Sequence, residues 1–302
     1  MTQVVFLLVP GMHLLDLAGP AQVFASAADF GYDYRIVHVA EQEDVPTAQG
    51  LPVRARTDWP ALGPGDLLMV PGWRSESLAR TGPLRPDTLA RLTAHHAAGG
   101  TVASVCAGAD ALGRAGLLDG RRCTTHHDLQ EELAHRHPAA TVVRDVLYVE
   151  DDGVVTSAGI ASGIDLALYL LAVRHGPAAA ARVARDMVVY ARRNGDEPQA
   201  GAALRHRSHL TDSVHRVQDL IDTHFASRLG LADLAASAGL SERTLTRRFT
   251  EATGLTPLRY QQELRLERAE HLIAHGSTVE AAARQVGFQD ARMLRRLRAR
   301  QG

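Results

Sequence analysis

Two stretches in the last hundred residues repeat each other, and a chain that repeats a segment this short must fold both copies into the same small unit. Sliding the C-terminal region along itself by 48 residues lays LAASAGLSERTLTRRF, from Leu234, on AARQVGFQDARMLRRL, from Ala282. Ala235 then falls on Ala283, Gly239 on Gly287, Leu240 on Phe288, Leu245 on Met293, Arg247 on Arg295, Arg248 on Arg296 and Phe249 on Leu297. Each copy reads as a short helix, a glycine-containing turn and a second helix that opens on Ser241 and Glu242 or on Asp290, residues suited to helix starts. Gly239 and Gly287 can take the positive φ of such a turn, while the apolar positions lock the two helices across each other. This is helix-turn-helix grammar, and the second helix of such a unit offers its N-terminal polar face to the major groove of DNA. The candidate DNA-binding residues are therefore Ser241, Arg243, Thr244, Arg247 and Arg248 in the first copy, with Arg292, Arg295 and Arg296 in the second. Arginine can grip guanine O6 and N7 with two bonds, and neighbouring arginines can fix the register on phosphate. A generic helical hairpin shares the apolar spacing; the duplication and the basic face argue for DNA.

Charge follows the same division. The formal net charge is −1, but from Arg205 onward there are 16 Arg against 11 Asp plus Glu, a balance of +5, and the remainder carries 17 against 23, a balance of −6. The sequence contains no lysine. Arginine is the better bidentate partner, but a genomic base composition rich in Ala and Arg codons is the simpler account of the missing lysine, and the uneven charge stands apart from it. A length of 302 residues favours two domains, each with its own interior. The start MTQVVFLLVPGMHLLDLAGP lacks a basic leader and a cleavage site, and no run of about 18 uncharged apolar residues occurs, so a cytoplasmic protein is expected. Cys106 and Cys123 are too few for a disulfide framework or a four-thiolate zinc site.

The first two thirds alternate short apolar runs with helical patterns, which predicts an α/β fold on a mostly parallel sheet. Strands are expected at Val4 to Val9, Tyr34 to Val39, Asp66 to Val70, Thr101 to Val105 and Val154 to Ser157. Helices are expected near Leu17 to Ala28, Leu84 to Ala98, Ala107 to Ala115, Leu129 to His135, Ile160 to Arg174 and Pro177 to Tyr190. RRNGDEPQAGAALRHRSHL has Gly, Pro and charge without apolar period, so the expected organisation is a first domain over 1–191, a linker over 192–210 and a helical domain over 211–302.

The C-terminal segments LADLAASAGLSERTLTRRFTEATGLTPLRYQQELRLERAEHLI and VEAAARQVGFQD resemble the AraC-type DNA-binding domain. The resemblance covers about the last 90 residues and implies seven helices, with one long helix, here Pro257 to Ala274, joining two recognition units. The family usually continues past the second unit with a Gly, Ser, Pro and Tyr segment, whereas this chain stops at Arg300, Gln301 and Gly302.

Within the first domain, TVASVCAG (Thr101 to Gly108) is an apolar strand entering a small-residue turn and then a helix, which sets Cys106 on a sharp elbow at the carboxyl edge of the sheet. The helix N-terminus is expected to expose the sulfur and lower its pKa, and the adjacent amides could meet an oxyanion or anionic ligand. A small buried hydrophobe is the alternative for Cys106. The strings LLDLAGPAQVF, MVPGW, SVCAGADALGRAGLLDGRRCTTHHDL and TSAGIASGIDLALYLL are similar to the PfpI-like, glutamine-amidotransferase-like superfamily, in particular the branch with isonitrile hydratase and the sensor domains of GlxA-type AraC regulators. The resemblance spans about residues 3 to 190 and implies a flavodoxin-like sandwich that commonly dimerises. It also implies that Asp16 faces the elbow cysteine, where it would bond the thiol or a ligand amine; capping the helix at Leu17 is the other reading.

The candidate ligand-binding residues are Asp16, Cys106, Ala107, Gly108 and His126, with Cys106 and Asp16 the only catalytic candidates. Hydrolytic members of the wider superfamily keep a His directly after the elbow cysteine; here Ala107 occupies that position, so no Cys and His dyad is evident. His127 departs from the aromatic residue usual in the family. The histidines at 95, 96, 126, 127, 135 and 137 lack the i, i+4 spacing of a helical metal site, so no metal is expected, and no glycine pattern suggests a nucleotide cofactor. The expected function is a transcriptional regulator that pairs double-stranded DNA with a small effector, as a homodimer held by the first domain. The competing readings are a cysteine-dependent hydratase or amidase with an attached DNA-binding module, and a redox or electrophile sensor acting through Cys106.

Overall fold

The computed structural model describes residues 1–74, 78, 84–189, 193–274 and 276–299. Tyr190, expected to end a helix, Arg192, expected to open the linker, and Arg300, Gln301 and Gly302 at the chain end lie outside them. The chain divides into two compact units, Met1–Gln199 and Ala200–Gly302.

In chain order the first unit holds β1 (Thr2–Leu7), α1 (Leu14–Asp29), β2 (Tyr34–Val39), β3 (Asp44–Val45), β4 (Val53–Arg54), β5 (Leu67–Val70), α2 (Pro86–Ala97), β6 (Thr101–Val105) and α3 (Gly108–Arg114). It continues with β7 (Arg122–Cys123), α4 (Gln130–Arg136), β8 (Thr141–Val142), β9 (Tyr148–Asp151), β10 (Val154–Ser157), α5 (Ser162–His175) and α6 (Pro177–Asp186). The six-stranded sheet runs β2-β1-β5-β6-β10-β9; all its pairings are parallel except the antiparallel pair of β9 with β10. β5 and β10 are buried along their whole length, and β1 over its last four residues, as expected of strands covered by helices on both faces. Helices α1, α5 and α6 pack together, while α2 and α3 pack on each other and on β6. This is the flavodoxin-like sandwich. The five strands read from the sequence are present, and β9 and the two-residue ribbons are additions whose apolar signal is too short to read.

Buried Asp110 in the first turn of α3 ties the elbow region to the C-terminal end of α4. Its Oδ1 accepts hydrogen bonds from Arg136 Nε and His137 Nε2, both at 3.0 Å. Burial alone would raise this carboxyl, but the bonds from His137 and Arg136 outweigh it and hold Asp110 below the usual carboxylate range.

The second unit is all helical: α7 (Ala202–Arg205), α8 (Asp212–Thr223), α9 (Leu231–Ser237), α10 (Glu242–Thr253), α11 (Pro257–Ala274), α12 (Val279–Gln285) and α13 (Ala291–Arg298). It has two separate cores. Val214, Val217, Ile221, Leu234, Leu245, Phe249 and Tyr260 form one; Leu266, Ala269, Ala282, Ala283, Val286, Leu294 and Leu297 form the other. The long helix α11 gives Tyr260 to the first and Leu266 and Ala269 to the second, so one rod supports both hairpins. α7 lies in the stretch read as linker. Ala202 there is buried and donates its N–H to Glu267 Oε2 at 2.6 Å, while Arg207 pairs with Asp219 and Asp222.

Candidate functional site

The elbow is built by strand β6 ending in the middle of the sheet, between β5 and β10. Cys106 takes φ 54°, an uncommon conformation for a non-glycine residue that sites under steric constraint preserve. Its N–H bonds Ser157 O at 2.9 Å, and its carbonyl accepts from Thr125 Oγ1 at 2.7 Å and from Ala109 N–H at 3.2 Å. Two glycines let the surrounding backbone close over the sulfur. A Cβ on Gly72 would sit 2.5 Å from Asp16 Oδ2 and 2.6 Å from Cys106 Cβ, and one on Gly159 would sit 2.3 Å from Cys106 Cβ and 3.0 Å from its Sγ. Gly108 is equally constrained, since a Cβ there would meet Val70 O at 2.2 Å. Ala107, also buried, is the N-cap of α3 and contributes only its backbone.

The sulfur is therefore not exposed. Cys106 is 6% exposed, and burial, followed by the charge of Asp16, pushes the thiol up to about 12. This corrects the expectation of a lowered thiol pKa: α3 begins beside Cys106, but the short helix cannot offset the loss of water and the neighbouring carboxyl.

Asp16 lies in the first turn of α1, whose N-cap is His13, so Asp16 does not cap the helix. Fully buried, it accepts the Gly72 N–H on Oδ2 at 3.1 Å, while Oδ1 has no hydrogen-bond partner among the described residues. Burial raises its carboxyl to about 7, against a small lowering by the Gly72 bond. Asp16 and Cys106 thus lie on either side of Gly72.

A cavity of about 140 Å³ is lined among others by His126, Gly159, Ser162, Arg193 and Gln199; Gly159, which packs against Cys106, links it to the elbow, while Asp16 and Cys106 are not part of its lining. Burial, with His127 alongside, holds the His126 imidazole below its ordinary range. Arg193 is fixed by Asp165 of α5, which takes its N–H, Nε and Nη2 within 3.0 Å. Gln199 donates to the carbonyls of Thr125 and Val146. Arg193 and Gln199 were missed because they sit in a polar stretch with the composition of a linker; only the TSAGIASGID string pointed toward Gly159 and Ser162. His126, His127 and Asp128 bring ligand atoms within 4.8 Å of one another and could hold a metal ion, an arrangement invisible to a search for helical spacing.

On the second unit, Gly239 and Gly287 have φ 67° and 82°, as their turns require. Ser241 caps α10 by accepting the Thr244 N–H, and Asp290 caps α13 by accepting the Arg292 N–H. Arg243, Arg247, Arg248, Arg292, Arg295 and Arg296 are exposed. The pairing by 48 residues holds through the turn glycines and again at buried Phe249 and Leu297, but fails at the start of the second helices. Leu245 is buried and Met293 is 41% exposed, whereas Leu294 is buried. The turn Gly287 to Asp290 is one residue longer than Gly239 to Ser241, so Leu294, not Met293, is the structural counterpart of Leu245. Arg296 then matches Arg247, and Arg295 instead turns to Glu280 of α12. Arg247 pairs with Glu251 at 3.2 Å and Arg292 with Asp290 at 3.8 Å, contacts weak enough at the surface to be exchanged for phosphate.

Comparison with known proteins agrees with both halves. Residues 2–173 match the DJ-1/PfpI family, and residues 234–301 match a helix-turn-helix domain. The HTH-type transcriptional regulator CdhR of Pseudomonas aeruginosa is 29% identical over 272 residues, 89% of this chain and 79% of that protein. Isonitrile hydratase of Pseudomonas putida is 39% identical over 178 residues, 56% of this chain and 70% of that enzyme. The crystal structure of an AraC family transcriptional regulator from Pseudomonas putida shares the fold at TM-score 0.54 and 24% identity, over 62% of this chain and all of that one. Among the described residues no helix is long and apolar enough to cross a membrane. The chain belongs to the DJ-1/PfpI family and is a DNA-binding transcriptional regulator, with an AraC-type helix-turn-helix unit joined to its PfpI-like domain.

Proposed function

We propose that the first unit senses a small molecule held between the Asp16 and Cys106 pair and the cavity lined by His126, Gly159 and Ser162. The observation that carries this reading is the buried Asp16 carboxyl with one oxygen unpaired beside the elbow among the described residues, a cost that a ligand donor would remove. Cys106 keeps its proton and contributes shape and a weak donor rather than a nucleophile. Ala107 and Gly108 offer backbone to the same ligand. The first unit also holds two copies together, and the regulator works in the cytoplasm on double-stranded DNA. On the second unit, Ser241, Arg243, Thr244, Arg247 and Arg248 meet one stretch of the major groove and Arg292 and Arg296 the next, with Arg295, paired to Glu280, joining them only if it exchanges that partner for phosphate. An effector changes DNA binding only if it binds two states of the protein unequally.

The test is a thermal-shift screen of small metabolites on the full chain, followed by footprinting of the bound operator with each hit. A hit should stabilise the wild type, lose that effect in Asp16→Ala and alter the footprint; hits indifferent to Asp16 refute the site. The similarity to isonitrile hydratase supports a second reading, cysteine-dependent hydration. Turnover of isonitriles or small amides that disappears in Cys106→Ser would establish it, while intact regulation in that variant removes any covalent step.

A further inference from the structure

The corrected register of the repeat singles out Met293. Counting from the caps, Ser241 and Asp290, the second residue of each recognition helix is arginine (Arg243, Arg292), the fourth is a buried leucine (Leu245, Leu294) and the sixth is arginine again (Arg247, Arg296). The third position is Thr244 in one copy and Met293 in the other. Thr244 has its N–H and its hydroxyl both engaged with Ser241 Oγ, at 3.2 and 2.9 Å. Apart from those polar atoms, its side chain offers only a methyl group. Met293 places a larger apolar end at the same point, 41% exposed, next to Arg292 and three residues before Arg296, which share the exposed side of the helix. The fold has no use for an apolar residue at 293, because the buried stripe of α13 runs through Leu294 and Leu297.

We infer that Met293 is a specificity-determining residue that reads the C5-methyl of a thymine in the major groove between the positions met by Arg292 and Arg296. The thymine methyl is the apolar feature of the major-groove edge, so an apolar side chain flanked by arginines is matched to it. This rests on the recognition-helix reading above. It adds that the second half-site contains a thymine whose methyl, not its hydrogen-bonding edge, is recognised.

The experiment starts by selecting bound sequences from a random duplex library with the full chain, then replacing each thymine of the selected site by deoxyuridine, which removes the methyl alone. At one thymine the wild type should lose about four-fold in affinity, the value of one buried methyl-sized group. Met293→Gln, of nearly the same shape, should bind the thymine site about four-fold more weakly and lose nothing further on deoxyuridine, while Met293→Leu should keep the sensitivity. Tolerance of deoxyuridine at every position by the wild type, or a methyl effect that survives in Met293→Gln, overturns the inference. Arg247→Ala and Arg296→Ala separate the two levels: unchanged affinity in both would overturn the recognition-helix reading itself, whereas loss there without a methyl effect overturns Met293 alone.

Discussion

A carboxyl group sealed from water with one oxygen unpaired resists ionisation, and Asp16 should show this in the pH dependence of folding. Its folded pKa, about 7, lies above the unfolded value of 3.8, so between those values the folded state binds more protons than the unfolded state. Stability contributed by the retained proton is therefore full below about pH 4, falls as pH rises toward 7 and is gone above it, by a few kcal/mol at most. Asp16→Asn keeps an acceptor for Gly72 N–H without the ionisation, so urea unfolding at pH 5 and pH 7.5 should show a smaller difference for the variant than for the wild type. The same burial governs Cys106. With its thiol pushed up to about 12, folded protein should react with iodoacetamide at pH 8 at least about tenfold more slowly than unfolded protein. A fast-reacting thiol, mapped to Cys106 by mass spectrometry, would contradict the sealed elbow. The elbow itself was legible, because an apolar strand running into small residues can end only in such a turn. The proton on the sulfur was not, since it depends on Gly72, Gly159 and Asp16, which the sequence places far from Cys106 and the sheet brings together.

At the level of elements, the repeat gave the helices and both turns but misplaced half a recognition helix. Letter matching rewards a constant shift, while burial allows a turn to gain one residue provided that the helix rotates to keep a leucine inside. The turns also differ in what surrounds them. Around Gly239 a Cβ would meet nothing within 4 Å, whereas on Gly287 it would sit 1.8 Å from Ala226 O. Arg265 of α11 reinforces that approach by donating to the carbonyls of Phe225, Ser227 and Gly287, which fastens the loop after α8 to the second turn. Gly239→Ala should then cost only the strain of a positive φ, about 1 kcal/mol. Gly287→Ala adds a backbone clash and should cost about 3 kcal/mol or more, read as the difference in urea midpoints of the two variants. Equal costs would mean that the two hairpins are not held in register through this contact.

Across the whole molecule, the apolar interior falls into one core in the first unit and two in the second, each built from residues of its own unit. The segment read as linker is largely committed to one unit or the other: Arg193 and Gln199 are bonded within the first, Ala202 and Arg207 within the second. Among the described residues the two cores of the second unit draw on that unit's own side chains, so residues 200–302 should fold alone with a cooperative helical melt. That fragment carries the basic excess and should keep the electrostatic part of DNA binding. If about five phosphates are neutralised, its affinity for duplex DNA should fall on the order of 10²- to 10³-fold between 50 and 200 mM salt. Replacing one phosphate-contacting arginine by alanine should lower the slope by about one and weaken all sequences alike, whereas losing a base-reading arginine should relax preference at a single position. A folded fragment whose binding ignores salt would show that the arginine faces of α10 and α13 do not meet the phosphate backbone, and a fragment that does not fold would show that the second unit draws stability from the first.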